Sequence, residues 1–193
     1  MKSPQELLYF LYMVKKNPSL DVKSKKEWSQ GLIDSLKLKI SDNIVMFNKP
    51  FDKGLVSEVY PQRSKGGAKP DGVWYACGSA WLEWTLHNMS LWLGDYVYKL
   101  DIDKSNFVMI RNEKSLEDFA ELYKYPKRQY SSDDYEYMDW KLVASTGFTG
   151  IQISPHFYTA RFAGGLSWYS TWDVASGCIW DTSCIKDVSI IEF

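Results

Sequence analysis

Histidine, cysteine and net charge are what this sequence has least of. It has two histidines, His87 and His156, too few for a His-rich metal centre, so no metal is expected. It has three cysteines, Cys77, Cys178 and Cys184. Their odd number and their spacing fit neither a disulfide framework nor a zinc site. Buried thiols in a reducing cytosol are the expectation. The formal net charge is -1, which argues against a dedicated duplex-DNA binder, whose phosphate contacts need a basic excess. No apolar run reaches membrane length and no secretory leader is readable, so the chain is expected to be cytoplasmic, with no membrane partner. A phosphate-cradling Walker loop and a dinucleotide glycine fingerprint are also missing.

Aromatic residues are what it has in excess. They make up 16% of the 193 residues, with nine Trp and thirteen Tyr. Such side chains bring large buried area, and flat faces on which a ring-bearing ligand can stack. Basic residues cluster at Lys23, Lys25 and Lys26, at Arg63, Lys65 and Lys69, and at Lys124, Lys127 and Arg128. Each cluster reads as solvated surface unless a ligand claims it.

The chain opens with helical patterning. Ser3 and Pro4 can start "PQELLYFLYMVKK". Ser24 with Glu27 has capping-box spacing for "KKEWSQGLIDSLKLK". "FNKPFDKG" reads as a loop. These features set a boundary between an N-terminal helical segment, 1–50, and a main domain, 51–193. In the main domain "LVSEVY", "VWYA", "DYVYKLDI", "NFVMI", "IQIS", "WYSTWDV", "GCIW" and "DVSIIEF" read as strands. "PQRSKGGAKPDG" and "PHFYTARFAGGLS" read as loops. Helices are expected after Ser79, from Ser115, and after Asp139. The fold class is α+β, with mixed or antiparallel sheets and inserted helices.

The order of these elements resembles that of the diphtheria-toxin-like ADP-ribosyltransferases, which include the poly(ADP-ribose) polymerase catalytic domains. "KPDGVWYACGSAWLEW" resembles their strand, small-residue cap and helix. "DYVYKLDIDKSNFVMI" resembles the strand after that helix. "LVASTGFTGIQI" is similar to the segment in which a helix ends in a glycine turn and a strand. "SGCIWDTSCIKDVSIIEF" resembles their terminal hairpin, with an aromatic–Asp–Thr corner. The likeness covers roughly residues 55 to 193 and rests on order and spacing.

The resemblance implies split sheets around a cleft for NAD, from which nicotinamide is displaced and ADP-ribose passed to an acceptor. Asp173 would be the carboxylate that stabilises positive charge on the ribose. Tyr75 would stack on nicotinamide, with Trp74 or Trp81 as a wall. Arg63 and Lys69 would meet the pyrophosphate, and Ser79 and Ser176 would line the site. Ser176 stands where relatives carry a catalytic glutamate, and Gln152 on a neighbouring strand is another polar candidate. The acceptor implied is RNA ahead of DNA, or a protein. The setting implied is a toxin or antiviral effector, with an antitoxin as partner. An alternative is a catalytically inactive module holding a nucleotide or a protein in the same cleft, and a third is an interaction protein without cleft chemistry. Of the two histidines, His156 follows a strand and a proline and is the better placed for function. "GVWYACGSAWLEW" also reads as a Trp-packed strand–helix corner, and that reading is compatible with a cleft.

Overall fold

A computed structural model describes residues 58–89, 92, 94, 96–126 and 136–191. It also describes the backbone of 43–47 and positions 9, 13, 16, 18–21, 23, 24, 27, 30, 31 and 34. The class is α+β, as the patterning predicts. The chain folds as two units, one of residues 1–53, 75–101 and 187–193, the other of 54–74 and 102–186.

In the first unit, Tyr9, Met13 and Lys16 are helical, as are residues 23, 24, 27, 30, 31 and 34. The cap of the later helical stretch is Asp21, not Ser24. The Asp21 carboxylate accepts from Ser24 N at 2.8 Å and Ser24 Oγ at 3.0 Å, satisfying an amide that has no partner within the helix. Three strands follow: β1 (Asn43–Phe47), β2 (Val73–Cys77), of which Val73 and Trp74 fall in the second unit, and β3 (Tyr96–Ile102), whose last residue does too. β1 is antiparallel to both others, pairing Asn43 with Cys77 and with Leu100. β1 lies within a stretch that carried no strand expectation. Helix α1 (Ala80–Asn88) buries Leu82 and Thr85. Ser79 precedes it without capping it, and its hydroxyl donates to the Glu83 carboxylate instead.

The second unit has a sheet of β4 (Phe107–Ile110), β5 (Gly150–Ile153) and β6 (Ser176–Ile179). β4 runs parallel to β5, and β6 antiparallel to it. A parallel pair needs a crossover, and helices α2 (Glu113–Tyr123) and α3 (Trp140–Ser145) lie in it. Asn112 starts α2, in a reciprocal capping box with Ser115, so the helix begins two residues before the expected start. It turns Leu116, Phe119 and Ala120 inward, the i, i+3, i+4 stripe of an amphipathic helix. Asp139 caps α3 as expected, accepting from Leu142 N at 2.9 Å.

Several strand relations differ from the sequence reading. "NFVMI", which by its place in the sequence would continue the preceding strand or pair with it, does neither, because β4 belongs beside β5. "WYSTWDV" is a 3-10 turn, Ser167–Thr171, followed by extended chain. Trp168, Tyr169 and Trp172 are all buried, and an i, i+1, i+4 pattern suits a helical turn rather than a strand of period two. Residues 55–57 of "LVSEVY" lie outside the described residues; of the rest, Val59 makes a single bridge to Asp181. The last two strands are not a hairpin. β6 pairs with β5, whereas β7 (Ile185–Ile190) lies beside β3. The Trp180–Asp181–Thr182 corner still joins them, with Asp181 capping a turn through Ser183 N.

Candidate functional site

β2 settles which aromatic faces can work together. Successive strand residues point to opposite sides, so Trp74 and Tyr75 cannot line one pocket. Tyr75 is 2% exposed and belongs to the core. Trp74 is half-buried on the other side. It meets Trp172 edge-on at 4.8 Å, and the Lys69 ammonium lies over its ring at 5.2 Å.

Lys69 is delivered by the loop before β2, and that loop is clamped at its neck. Gln62 Nε2 donates to the carbonyls of Tyr60 at 3.0 Å and Asp71 at 2.7 Å, and Asp71 N donates back to Gln62 Oε1 at 3.0 Å. Arg63 grips the Asp71 carboxylate with two bonds, at 2.9 and 2.6 Å. Hydrogen bonding to Asp71 therefore raises the Arg63 pKa further. Gly72 allows β2 to begin close against β6: at its φ of +155° an added Cβ would lie 2.2 Å from Ile179 O. Pro70 O receives Trp74 Nε1 at 3.3 Å.

The other half of the site comes from the β5–β6 connection. Between 155 and 174 that segment has one basic residue, Arg161, and one acidic residue, Asp173. They meet at 3.2 Å, each side chain about one-quarter exposed or less. Arg161 is further held by Ser170 O, through Nε at 3.0 Å and Nη2 at 2.5 Å. Lys69 feels both charges. Desolvation lowers its pKa although the residue as a whole is exposed; Asp173 opposes that shift and Arg161 adds to it.

The polar valences here are not closed. Among the described residues, Arg161 Nη1, Asp173 Oδ2 and the Lys69 ammonium have no hydrogen-bond partner. Trp172 Nε1 is likewise a buried donor without a partner. A structural ion pair gains most when its remaining donors and acceptors are satisfied. This one leaves two cationic donors and a carboxylate oxygen available beside an aromatic face, chemistry that suits an anionic ligand with a ring.

The other expected site residues lie apart from this group or are already engaged. Ser176 begins β6 and is buried, its hydroxyl donating to Val174 O at 2.9 Å. Gln152 Oε1 accepts from Lys104 Nζ at 2.8 Å. Arg63 is committed to Asp71. Ser79 and Trp81 belong to the first unit, where Trp81 stacks on Trp84 at 5.0 Å. Arg161 and Trp172 were not expected from sequence, although a lone pair of opposite charges in an otherwise uncharged stretch was the available signal.

Cys178 is fully buried and its thiol pKa is raised well above the ordinary value by desolvation; such a thiol is a poor nucleophile. Among the described residues no group of three or more His, Cys, Asp or Glu is placed to hold a metal ion, and no helix is long and apolar enough to cross a membrane. Compared with known proteins, the chain matches no family model, no curated protein and no solved structure.

Proposed function

We propose that this chain is an NAD-dependent mono-ADP-ribosyltransferase using the Lys69–Trp74–Arg161–Asp173 group. The observation that carries the reading is the open Asp173 oxygen beside two cations with unused donors. An NAD-like substrate carries both charge signs that such a group handles. Its diphosphate suits the Lys69 ammonium and the open Nη1 of Arg161, both charged donors. Its ribose becomes oxocarbenium-like as nicotinamide leaves, and a preorganised carboxylate stabilises that charge. Trp74 supplies the flat face. Tyr75 has no contact role here, because its ring is turned into the core. The likeness in element order to diphtheria-toxin-like transferases supports the same reading, and the split-sheet arrangement of that family is part of the proposal. The acceptor is an RNA ahead of a DNA, or a protein. The proposed setting is a cytosolic toxin or antiviral effector restrained by an antitoxin.

A second reading is favoured by the Arg161–Asp173 contact itself. A carboxylate partly neutralised by a guanidinium is a weaker stabiliser of positive charge, and Ser176 provides no carboxylate in its place. A module that holds a nucleotide without consuming it would fit this arrangement.

Purified protein incubated with NAD labelled in its adenylate part, beside Asp173→Asn, separates the two. The transferase reading expects nicotinamide release and label on one macromolecular fraction, with release falling about 10²- to 10³-fold in the variant. A rise in melting temperature with NAD but no nicotinamide would establish the binding module. No response of either kind would remove both.

A further inference from the structure

His156 opens the same segment that delivers Arg161 and Asp173, and the reading above leaves it unused. Its Nε2 lies 2.8 Å from Trp172 O. A carbonyl oxygen only accepts, so Nε2 carries the hydrogen. In the neutral ring, Nδ1 therefore holds the lone pair. Nδ1 has no hydrogen-bond partner among the described residues. The ring packs on Tyr169, centroids 5.7 Å apart. The groups facing it are Arg161, Asp173 and the Tyr169 phenol. Burial is the largest influence on the ring and lowers its pKa below 6.5; the hydrogen bond to Trp172 O opposes this, Arg161 adds to it and Asp173 opposes it. Burial also pushes the Tyr169 pKa up to about 12, so the phenol stays neutral while the imidazole titrates. Tyr169 Oη is itself fixed by Phe157 N at 3.0 Å. The imidazole thus has one nitrogen anchored, the other open, and a carboxylate within electrostatic reach.

We infer that His156 is the general base of the transfer, its Nδ1 taking the proton of an acceptor hydroxyl. The inference rests on the transferase reading of the Asp173 site. In the step, the bond from ribose C1′ to the nicotinamide nitrogen breaks, and its electron pair leaves with the ring, which departs neutral. The acceptor oxygen forms a new bond to C1′. Its proton passes to Nδ1, and the imidazolium formed is balanced by Asp173. The acceptor is accordingly a neutral hydroxyl and not a carboxylate, which would attack without losing a proton.

Methanol and azide are the probes, because methanol must lose a proton on attack and the azide anion need not. His156→Gln keeps an amide donor for Trp172 O and removes the base. The variant should make methyl ADP-ribose about 10²- to 10⁴-fold more slowly, with formation of the azide adduct unchanged. Wild-type methanolysis should fall on acidification through a pKa below 6.5, and the azide reaction should lack that limb; this readout does not depend on the variant folding. Equal loss of both products, or full methanolysis by the variant, overturns the base while leaving the transferase reading intact. So does a methanolysis profile without the acid limb. A wild-type protein that releases no nicotinamide with either probe overturns the transferase reading and the base with it.

Discussion

Two groups of tryptophans can be compared, one in each unit. In the first, Trp81, Trp84 and Trp92 stack, Trp81 on Trp84 at 5.0 Å and 14° and Trp92 at 6.2 Å from Trp81. Trp92 is 55% exposed. In the second, Trp74 and Trp168 each meet Trp172 edge-on, at 4.8 and 6.1 Å, and Trp168 and Trp172 are almost wholly buried. The decisive difference is in what surrounds the rings. The second group has Lys69 over one face and Arg161 and Asp173 on the chain that carries Trp172. Aromatic content alone distinguishes neither group as a site. Partly desolvated charge with open valences beside the ring does, because the protein has oriented those charges without using them up.

The comparison breaks hardest at Trp168. Trp168→Ala should cost about 3–5 kcal/mol, read as a lower urea midpoint, because the ring fills the centre of the second unit's core. A small loss would mean that the core collapses around the gap, and the aromatic packing would not be what holds the segment 155–174.

Lys69→Met keeps the stem and removes the charge. NAD affinity should fall by about tenfold, near 1.4 kcal/mol, by titration calorimetry. Arg63→Met should leave affinity unchanged, since Arg63 serves Asp71 at the neck of the loop. Equal losses from both would merge what the structure separates.

Acidification sharpens the comparison further. The folded pKa of His156 lies below 6.5. As the pH falls through 6.5 the unfolded chain takes up its proton first, so the folded state loses stability from there down to the lowered pKa. Above 6.5 this contribution does not vary with pH. Melting temperatures at neutral pH and at about pH 5.5 should lie further apart for wild type than for a His156→Gln variant, whose acid loss is smaller; an identical acid loss in both would contradict the shift. The smallest effect is expected at Trp92→Ala, about 1 kcal/mol or less, because over half of that ring is in solvent.

Sequence patterning located what depends on neighbours along the chain. The Asp139 cap, the inward stripe of α2 and the short runs that became β2, β5 and β6 are all local signals. β1 escaped because "IVMF" is a four-residue apolar run without alternation, which does not distinguish strand from loop or helix. The parallel pairing of β4 with β5 joins Phe107 to Gly150, and nothing in either stretch specifies a partner so far along the chain. The site divides in the same way. Asp173, Lys69 and Trp74 were legible as residue types in plausible places. The contact of Arg161 with Asp173 depends on how the 3-10 turns Thr159–Phe162 and Ser167–Thr171 fold the intervening chain, and strand alternation turns Tyr75 away from Trp74.

The most direct test is to follow the tryptophan indole N–H resonances by two-dimensional NMR while NAD is added to the intact protein. Trp74 and Trp172 should shift, with Trp81, Trp84 and Trp92 unmoved. Shifts confined to Trp81, Trp84 and Trp92, or none at saturating NAD, would contradict the assignment of the ligand to the charged tryptophan group.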